Sequence, residues 1–165
     1  MKRILKIDVL FVLLSLMLVS FKLKPNDDEF VDLGLSVKWA TCNVGAKSPT
    51  EYGDYYTFDA ALKSGMRLPT ETEFKELIDN CTWFWAEENG VKGYKVTSKK
   101  NGHSIFLPAA GHSDGTGVYY VGSYGEYWSS SANDDYNASY LTFDSNDVYM
   151  DNYNRYYRQS VRLVR

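Results

Sequence analysis

The chain has 165 residues, of which 24% are charged and 16% aromatic, and a formal charge of −3. That length allows one domain with a real core and excludes two of ordinary size. So aromatic a composition excludes a disordered chain, and the acidic balance leaves no basic footprint for nucleic acid.

The first residues read as an export signal. Lys2, Arg3 and Lys6 form a basic start, and residues 9–19 are apolar except for Ser15. The clean apolar run is too short for a comfortable transmembrane helix, which favours a signal peptide over 1–20. Asp8 intrudes on the run and no Ala-x-Ala site follows, so an uncleaved membrane anchor is the alternative. Cleavage after Ser20 would move the net charge from −3 to −5, suiting an exported soluble domain. Residues 21–29 then form a linker and 30–165 the domain.

Residues 30–45 read as a hairpin, with apolar and polar residues alternating over 35–40. A loop over 47–53 leads to a short aromatic strand at 54–58 and a short helix over 59–64, ended by Gly65. Thr70 to Glu73 is a capping box directly after Pro69, and Phe74, Leu77, Ile78 and Cys81 continue it as one buried helical stripe. From Thr82 the period changes to that of strands. The turn pairs Asn89-Gly90 and Asn101-Gly102 divide three strands into a meander. A glycine-rich loop spans 111–125, and strands follow at 127–131 and 140–144. In the second of these, Leu141 and Phe143 share one face while Tyr140, Thr142 and Asp144 share the other. Val161 and Leu163 alternate with Arg162 in a final strand. Many short strands around one or two helices give an α+β domain.

Catalytic constellations fail one at a time. His103 and His112 have no cysteine partner and no ligand-like spacing, so they read as ordinary polar histidines. Ser129, Ser130 and Ser131 lack a Gly-x-Ser-x-Gly elbow and read as strand hydroxyls satisfying nearby backbone. The acidic residues of 134–151 raise a calcium hypothesis, with Asp144 and Asp147 as candidate ligands, although their spacing fits no fixed loop. Asp114 is a further oxygen-ligand candidate whose plainer reading is a turn aspartate. Otherwise no cofactor is expected. Cys42 and Cys81, the only cysteines, read either as one disulfide in an oxidising compartment or as two buried thiols.

The strongest bias lies at 133–158, where six Tyr, five Asn, five Asp and two Ser fill 18 of 26 positions. Tyrosine supplies large, stiff, amphipathic contact area, and Asn, Asp and Ser supply adaptable hydrogen bonds. This composition points to a recognition surface. An ordinary edge hairpin would share some of it, but ten of the fourteen tyrosines fall between Tyr119 and Tyr157.

The segments VDLGLSVKWATCNVGA (31–46), EYGDY (51–55), RLPTETEF (67–74), SIFLPAAG (104–111), YWSSS (127–131) and SVRLV (160–164) resemble, in that order, the Fibrobacter major paralogous domain, which exported proteins of gut bacteria carry in many copies. The resemblance implies a C-type lectin-like fold related to the formylglycine-generating enzymes, with the N- and C-terminal strands paired around 31–35 and 161–165. It also implies a non-enzyme, because the C-terminal cysteine pair and the histidine cluster of the related enzymes have no counterpart here. Arg158 stands where the family leads one to expect glycine. The 133–158 segment further resembles the variable region of proteins diversified by an adenine-mutating retroelement. That resemblance makes Asn133, Asp134, Tyr136, Asn137, Tyr140, Asn146, Asp147, Tyr149, Asp151, Asn152, Tyr153, Asn154, Tyr156 and Tyr157 the candidate ligand-binding positions, with Trp128, Leu141, Phe143 and Val161 as scaffold.

The expectation is thus an exported, monomeric, non-enzymatic module that binds a protein or glycan outside the cell and meets a membrane only through a retained N-terminal segment. The alternatives are a calcium-dependent lectin or catalytic relative on the same scaffold, and an assembly subunit with the tyrosine face buried against another chain.

Overall fold

The computed structural model describes residues 29–165, so the signal or anchor reading of 1–20 lies outside the described residues. The chain opens with β1 (Phe30–Val31) and β2 (Trp39–Asn43), which pair antiparallel with Val31 opposite Trp39. It continues through β3 (Tyr56–Thr57), α1 (Phe58–Lys63) and α2 (Glu71–Asn80). The meander is β4 (Cys81–Glu88), β5 (Val91–Ser98) and β6 (Ser104–Pro108). Two short strands follow, β7 (His112–Ser113) and β8 (Val118–Tyr119). A second three-stranded meander is β9 (Gly125–Ala132), β10 (Asn137–Phe143) and β11 (Val148–Asn154). The chain finishes with β12 (Arg158–Gln159) and β13 (Arg162–Val164).

Local signals account for several of these elements. Thr70 Oγ1 accepts the Glu73 N–H at 3.2 Å, and Glu73 accepts the Thr70 N–H at 2.7 Å, so the capping box starts α2 as its sequence predicts. Asn89 and Gly90 both hold positive φ, as a tight hairpin turn between β4 and β5 requires.

The architecture itself departs from expectation. Strands hold 46% of the described residues and helices 12%, in four small antiparallel sheets, so the fold is β-rich and the α+β, lectin-like assignment does not stand. Much of the difference lies where composition pointed to loop. Residues 111–125, read as loop, contain β7 and β8, and 133–158 add β11 and the start of β12 to the strand expected at 140–144. Tyrosine and threonine suit pleated backbone, while Asn and Asp need only short turns to join the strands. The final run also divides. β12 pairs with β3 and β7, whereas β13 pairs with β2, placing Val164 opposite Trp39. The last strand therefore meets the N-terminal region through β2 rather than through residues 31–35.

Two apolar clusters meet across the β9–β10–β11 sheet. Trp39, Phe74, Leu77, Tyr127, Leu141 and Phe143 belong to the larger, against which Val148 and Met150 of β11 also pack. Phe58, Ala61, Leu68, Trp128, Tyr140 and Val161 form the other. With both faces of β10 covered, Tyr140 is only 7% exposed, which removes it from the surface binding positions.

Arg162 is wholly buried, although alternation with Val161 and Leu163 suggested a polar outward face. Its Nε donates to Asn43 Oδ1 at 3.0 Å, Nη1 to the carbonyls of Ala40 and Thr41 at 2.9 and 2.8 Å, and Nη2 to the Phe106 carbonyl at 2.9 Å. One guanidinium thus ties β13, β2 and β6 together. Asn43 Nδ2 extends the network by donating to Tyr127 Oη at 3.3 Å, and that hydroxyl donates to the Pro108 carbonyl at 2.7 Å.

The disulfide reading is corrected as well, since Cys42 and Cys81 are both free thiols. Cys42 lies on β2 within electrostatic reach of Arg162, whereas Cys81 closes α2 among Glu76, Lys99 and Lys100. Burial pushes the Cys81 thiol up to about 11, which makes it inert at neutral pH.

Arg162→Ala leaves Asn43 Oδ1, the buried carbonyls of Ala40 and Phe106 and the part-buried carbonyl of Thr41 without their donor. At about 1–3 kcal/mol for a buried group left unsatisfied, urea denaturation should show a loss of about 3 kcal/mol or more. A second expectation concerns alkali. Burial holds the Tyr55 and Tyr127 hydroxyls at about 12 instead of the usual 10, so the fold favours the neutral phenol. Their stabilising contribution is complete below about pH 10 and disappears as pH rises to about 12. Melting temperature should fall over that window together with the rise in tyrosinate absorbance, and Tyr127→Phe should flatten the fall.

Candidate functional site

Cross-strand register decides which side chains of the β9–β10–β11 sheet face away from the larger core. Thr142 stands opposite Glu126 on one side and Tyr149 on the other, and Tyr140 stands between Trp128 and Asp151. Directly opposed residues share a face, as do residues two apart along a strand. Glu126, Tyr140, Thr142, Tyr149, Asp151 and Tyr153 therefore lie on one face of the sheet. At its inner end the face meets β7 and β8.

His112 occupies that junction. It is only 7% exposed, and the rings of Tyr119, Tyr120, Tyr153 and Tyr157 surround it with centroids 5.9, 5.7, 5.9 and 5.5 Å away. Its Nδ1 lies 3.1 Å from each oxygen of the Glu126 carboxylate. One N–H donates to one oxygen; geometry favours Oε1, and Oε2 has no hydrogen-bond partner. Burial pushes the Glu126 carboxyl up, against the opposing pull of His112. Beside this pair Gln159, wholly buried, stands opposite His112 in register with its amide oxygen and nitrogen both unpartnered. Burial first, and then the Glu126 and Asp151 carboxylates, raises the Tyr140 hydroxyl. The Tyr153 hydroxyl rises through burial, with Tyr157 and Glu126 adding to it.

The ring cluster continues outward to the surface. Tyr153 and Tyr157 pack at 4.6 Å, Tyr157 touches Tyr156, and Tyr120 touches Tyr124 edge-on at 5.6 Å. Tyr120 and Tyr156 are 60% and 70% exposed. Two features hold this arrangement. Gly111 has φ +63°, and a Cβ there would sit 1.9 Å from the Tyr119 carbonyl, so only glycine admits β8 so close. Asp114 accepts the N–H groups of Thr116 and Gly117 at 2.8 and 3.0 Å and the Tyr119 hydroxyl at 3.1 Å, fixing the turn that delivers the ring. The Thr116 N–H, then its hydroxyl, does most to lower the Asp114 carboxyl.

Among the fourteen candidate positions, Asn133, Asp134, Tyr136, Asn146, Asp147, Tyr149, Asp151, Asn152, Asn154 and Tyr156 are exposed, Asn137, Tyr153 and Tyr157 are half-buried, and Tyr140 is buried. Trp128, Leu141, Phe143 and Val161 beneath them are all wholly buried. The positions do not form one cluster. Asn146 and Asp147 lie in the β10–β11 turn, and Asn133 to Tyr136 in the β9–β10 turn, which Arg155 fastens to Asp59 of α1. Asp144 Oδ1 closes the β10–β11 turn by accepting the N–H groups of Asn146 and Asp147 at 2.7 and 3.1 Å. Among the described residues no group of three His, Cys, Asp or Glu could hold a metal ion, so Asp144 and Asp147 are not drawn into a calcium site. Arg158 is a strand residue whose guanidinium rests on Gly115, not a turn residue.

Sequence reasoning does not single out His112, Glu126 or Gln159, and it includes Tyr119, Tyr120 and Tyr124 only through the tyrosine-rich span from Tyr119 to Tyr157, not among the fourteen named positions. The tyrosine bias beginning at Tyr119 was the signal for the rings. No spacing could relate His112 to Glu126, because a parallel bridge between Gly111 and Gly125 brings the two segments together.

Fold and site thus define a β-rich domain that carries a tyrosine-lined face over a buried His–Glu pair. The chain belongs to the family described as "Domain of unknown function (DUF8237)", whose model matches residues 80–164. No curated protein matches the chain, and neither does any solved structure.

Gly111→Ala should push β8 off β7 and disperse the ring cluster. We expect a loss of about 1–3 kcal/mol in unfolding free energy and weakened protection of the Tyr119 region in hydrogen exchange. Gly122→Ala, at a positive-φ site with open space around the added methyl, separates the cost of φ from that of contact.

Proposed function

We propose that this chain is an exported, non-enzymatic binding module whose tyrosine-lined face recognises a protein or glycan outside the cell. The observation that carries the reading is the continuity of the rings. Tyr124, Tyr120, His112, Tyr157 and Tyr156 touch in sequence from one exposed edge to the other. Rigid aromatic side chains lose little freedom on binding, and monomers seldom keep so much apolar surface in one place without use. Asp151, Asn152 and Asn154 add exposed polar groups along β11. Substitutions at these surface positions would leave Trp128, Leu141 and Phe143 in place, which suits retroelement-type diversification of the segment.

The chemistry elsewhere is consistent with binding rather than catalysis. The Ser129 and Ser130 hydroxyls donate to the carbonyls of Ser139 and Pro69, and Ser131 Oγ accepts the Glu71 N–H. His112 faces rings and a carboxylate rather than a nucleophile.

The test is an array of glycans and extracellular proteins probed with the chain and with a Tyr120→Ala/Tyr156→Ala variant. Hits should weaken about 30-fold in the variant, the effect of losing about 2 kcal/mol of aromatic contact, while the circular dichroism is unchanged. Hits indifferent to both rings, or none on either panel, would overturn the reading.

A further inference from the structure

A surface cleft of about 350 Å³ opens where the Tyr124 end of the ring row meets the β4–β5 hairpin and the β10–β11 turn. That volume falls at the small end of the roughly 300–1,000 Å³ typical of small-ligand sites. Trp85 and Tyr124 are its aromatic lining, and Lys92, Ser123, Asp144 and Ser145 supply its polar groups. Lys92, Ser123, Tyr124 and Ser145 are all exposed, so the cleft is open to solvent.

The fold holds each part of this lining. Trp85 stands opposite Tyr94 in register and packs edge-on against it at 5.1 Å, with Phe143 at 6.4 Å. Lys92 shares that face, two residues from Tyr94 along β5. Tyr124 is carried by a turn in which the Ser123 and Tyr124 N–H groups both donate to the Tyr120 carbonyl at 3.0 Å. The Gly122 N–H donates to the Ala109 carbonyl and the Gly111 N–H to that of Tyr124, both at 2.7 Å, which ties the turn to the segment before β7. Tyr120 takes φ +61° there, a costly backbone for a bulky residue that persists only under such constraint. Asp144 Oδ1 closes the β10–β11 turn, which fixes the carboxylate and leaves Oδ2 without a partner among the described residues. The Lys92 ammonium likewise makes no ion pair or hydrogen bond with any described residue.

We propose that this cleft binds a neutral saccharide, with Trp85 and Tyr124 against the C–H faces of the sugar rings, Asp144 Oδ2 accepting from its hydroxyls and Lys92 donating to them. The inference rests on the binding-module reading and names its ligand class. The lining carries one charge of each sign, so a cation meets Lys92 and an anion meets Asp144, while a neutral polyol is opposed by neither. A sugar hydroxyl both donates and accepts, so it can use a carboxylate, an ammonium and the Ser123 and Ser145 hydroxyls alike. Its bonds to the two charged groups are the stronger ones. The apolar C–H face of the sugar is covered by rings that are already fixed, so little freedom is lost on binding. The Tyr120–Tyr124 contact at 5.6 Å continues the surface into the ring row, giving a longer glycan a path beyond the cleft.

The full chain is titrated by NMR with neutral trisaccharides of glucose, galactose, mannose and N-acetylglucosamine, with a uronic-acid trisaccharide and the dipeptide glycylphenylalanine as comparisons. A neutral trisaccharide should shift the Trp85 indole N–H and the backbone signals of Tyr124 and Ser145. Tyr124→Ala should weaken that binding about tenfold, and Asp144→Asn and Lys92→Gln several-fold each. Asp144→Asn keeps an oxygen to close the β10–β11 turn, and the other two changes are at exposed side chains, so the circular dichroism should be unchanged. No shift with any neutral trisaccharide at tens of millimolar, tighter binding of the uronic-acid or dipeptide probe, or indifference to these substitutions overturns the proposal. Array hits that still depend on Tyr120 and Tyr156 in that case would leave the binding-module reading standing.

Discussion

The guanidinium of Arg162 is the constraint on which the rest of the structure depends. It is buried without a carboxylate, and burial lowers its pKa while carbonyl oxygens of β2 and β6, with Asn43, do the work of solvation. A buried charge is tolerable only where such acceptors hold their places. Four acceptors from two other strands fix the position of β13, and the Tyr127 hydroxyl ties the same network to β9. The β9–β10–β11 sheet, and with it the tyrosine face, is anchored to this point. The family match begins at residue 80, yet β2 supplies both the acceptors for Arg162 and the pairing partner of β13. The structural unit is therefore larger than the matched segment.

The face built on that anchor ends at an unpaired sheet edge. β11 is an edge strand, and an exposed edge invites pairing with other chains. Asp151, Asn152 and Asn154 counter this with polar groups, while Val148 and Met150 hold the strand down on the core. Between them Tyr149 is exposed and Tyr153 is half-buried against the second apolar cluster. Beneath them, Glu126, His112 and Gln159 keep polar atoms in a place where an apolar core would be simpler, and three of those atoms have no protein partner. Such unmatched groups are rare in folded interiors and costly to keep.

How far the sequence could be read depended on the range of each signal. The α2 capping box, the hairpin turn at Asn89-Gly90 and the two-face pattern of β10 are short-range features, and all three occur where the residues place them. Tyr140 and Arg162 went the other way for a common reason. Alternation tells which residues share a face, but not whether a second layer covers it, and Phe58 and Val161 belong to the apolar cluster on the face that Tyr140 was expected to show to water. The thiols of Cys42 and Cys81 are likewise placed by the packing of β2 and α2, which their spacing does not encode. The glycine-rich stretch suggested a loop because turn residues outnumber the two-residue strands β7 and β8 that they flank, so a β-rich fold reads as a mixed one.

By itself, the sequence determined that this is one aromatic, acidic domain, that its tyrosines gather toward the C-terminus, and where its best-signed helix and its meander begin and end. These follow from composition and from contacts a few residues apart. Only the tertiary structure decided that the architecture is four small sheets, that Arg162 lies at its centre, and that His112, Glu126 and Gln159 meet beneath the rings. Those outcomes depend on pairings between segments far apart in the chain, such as Gly111 with Gly125 and His112 with Gln159, and the free energy of such pairings depends on the whole packed interior rather than on any local pattern.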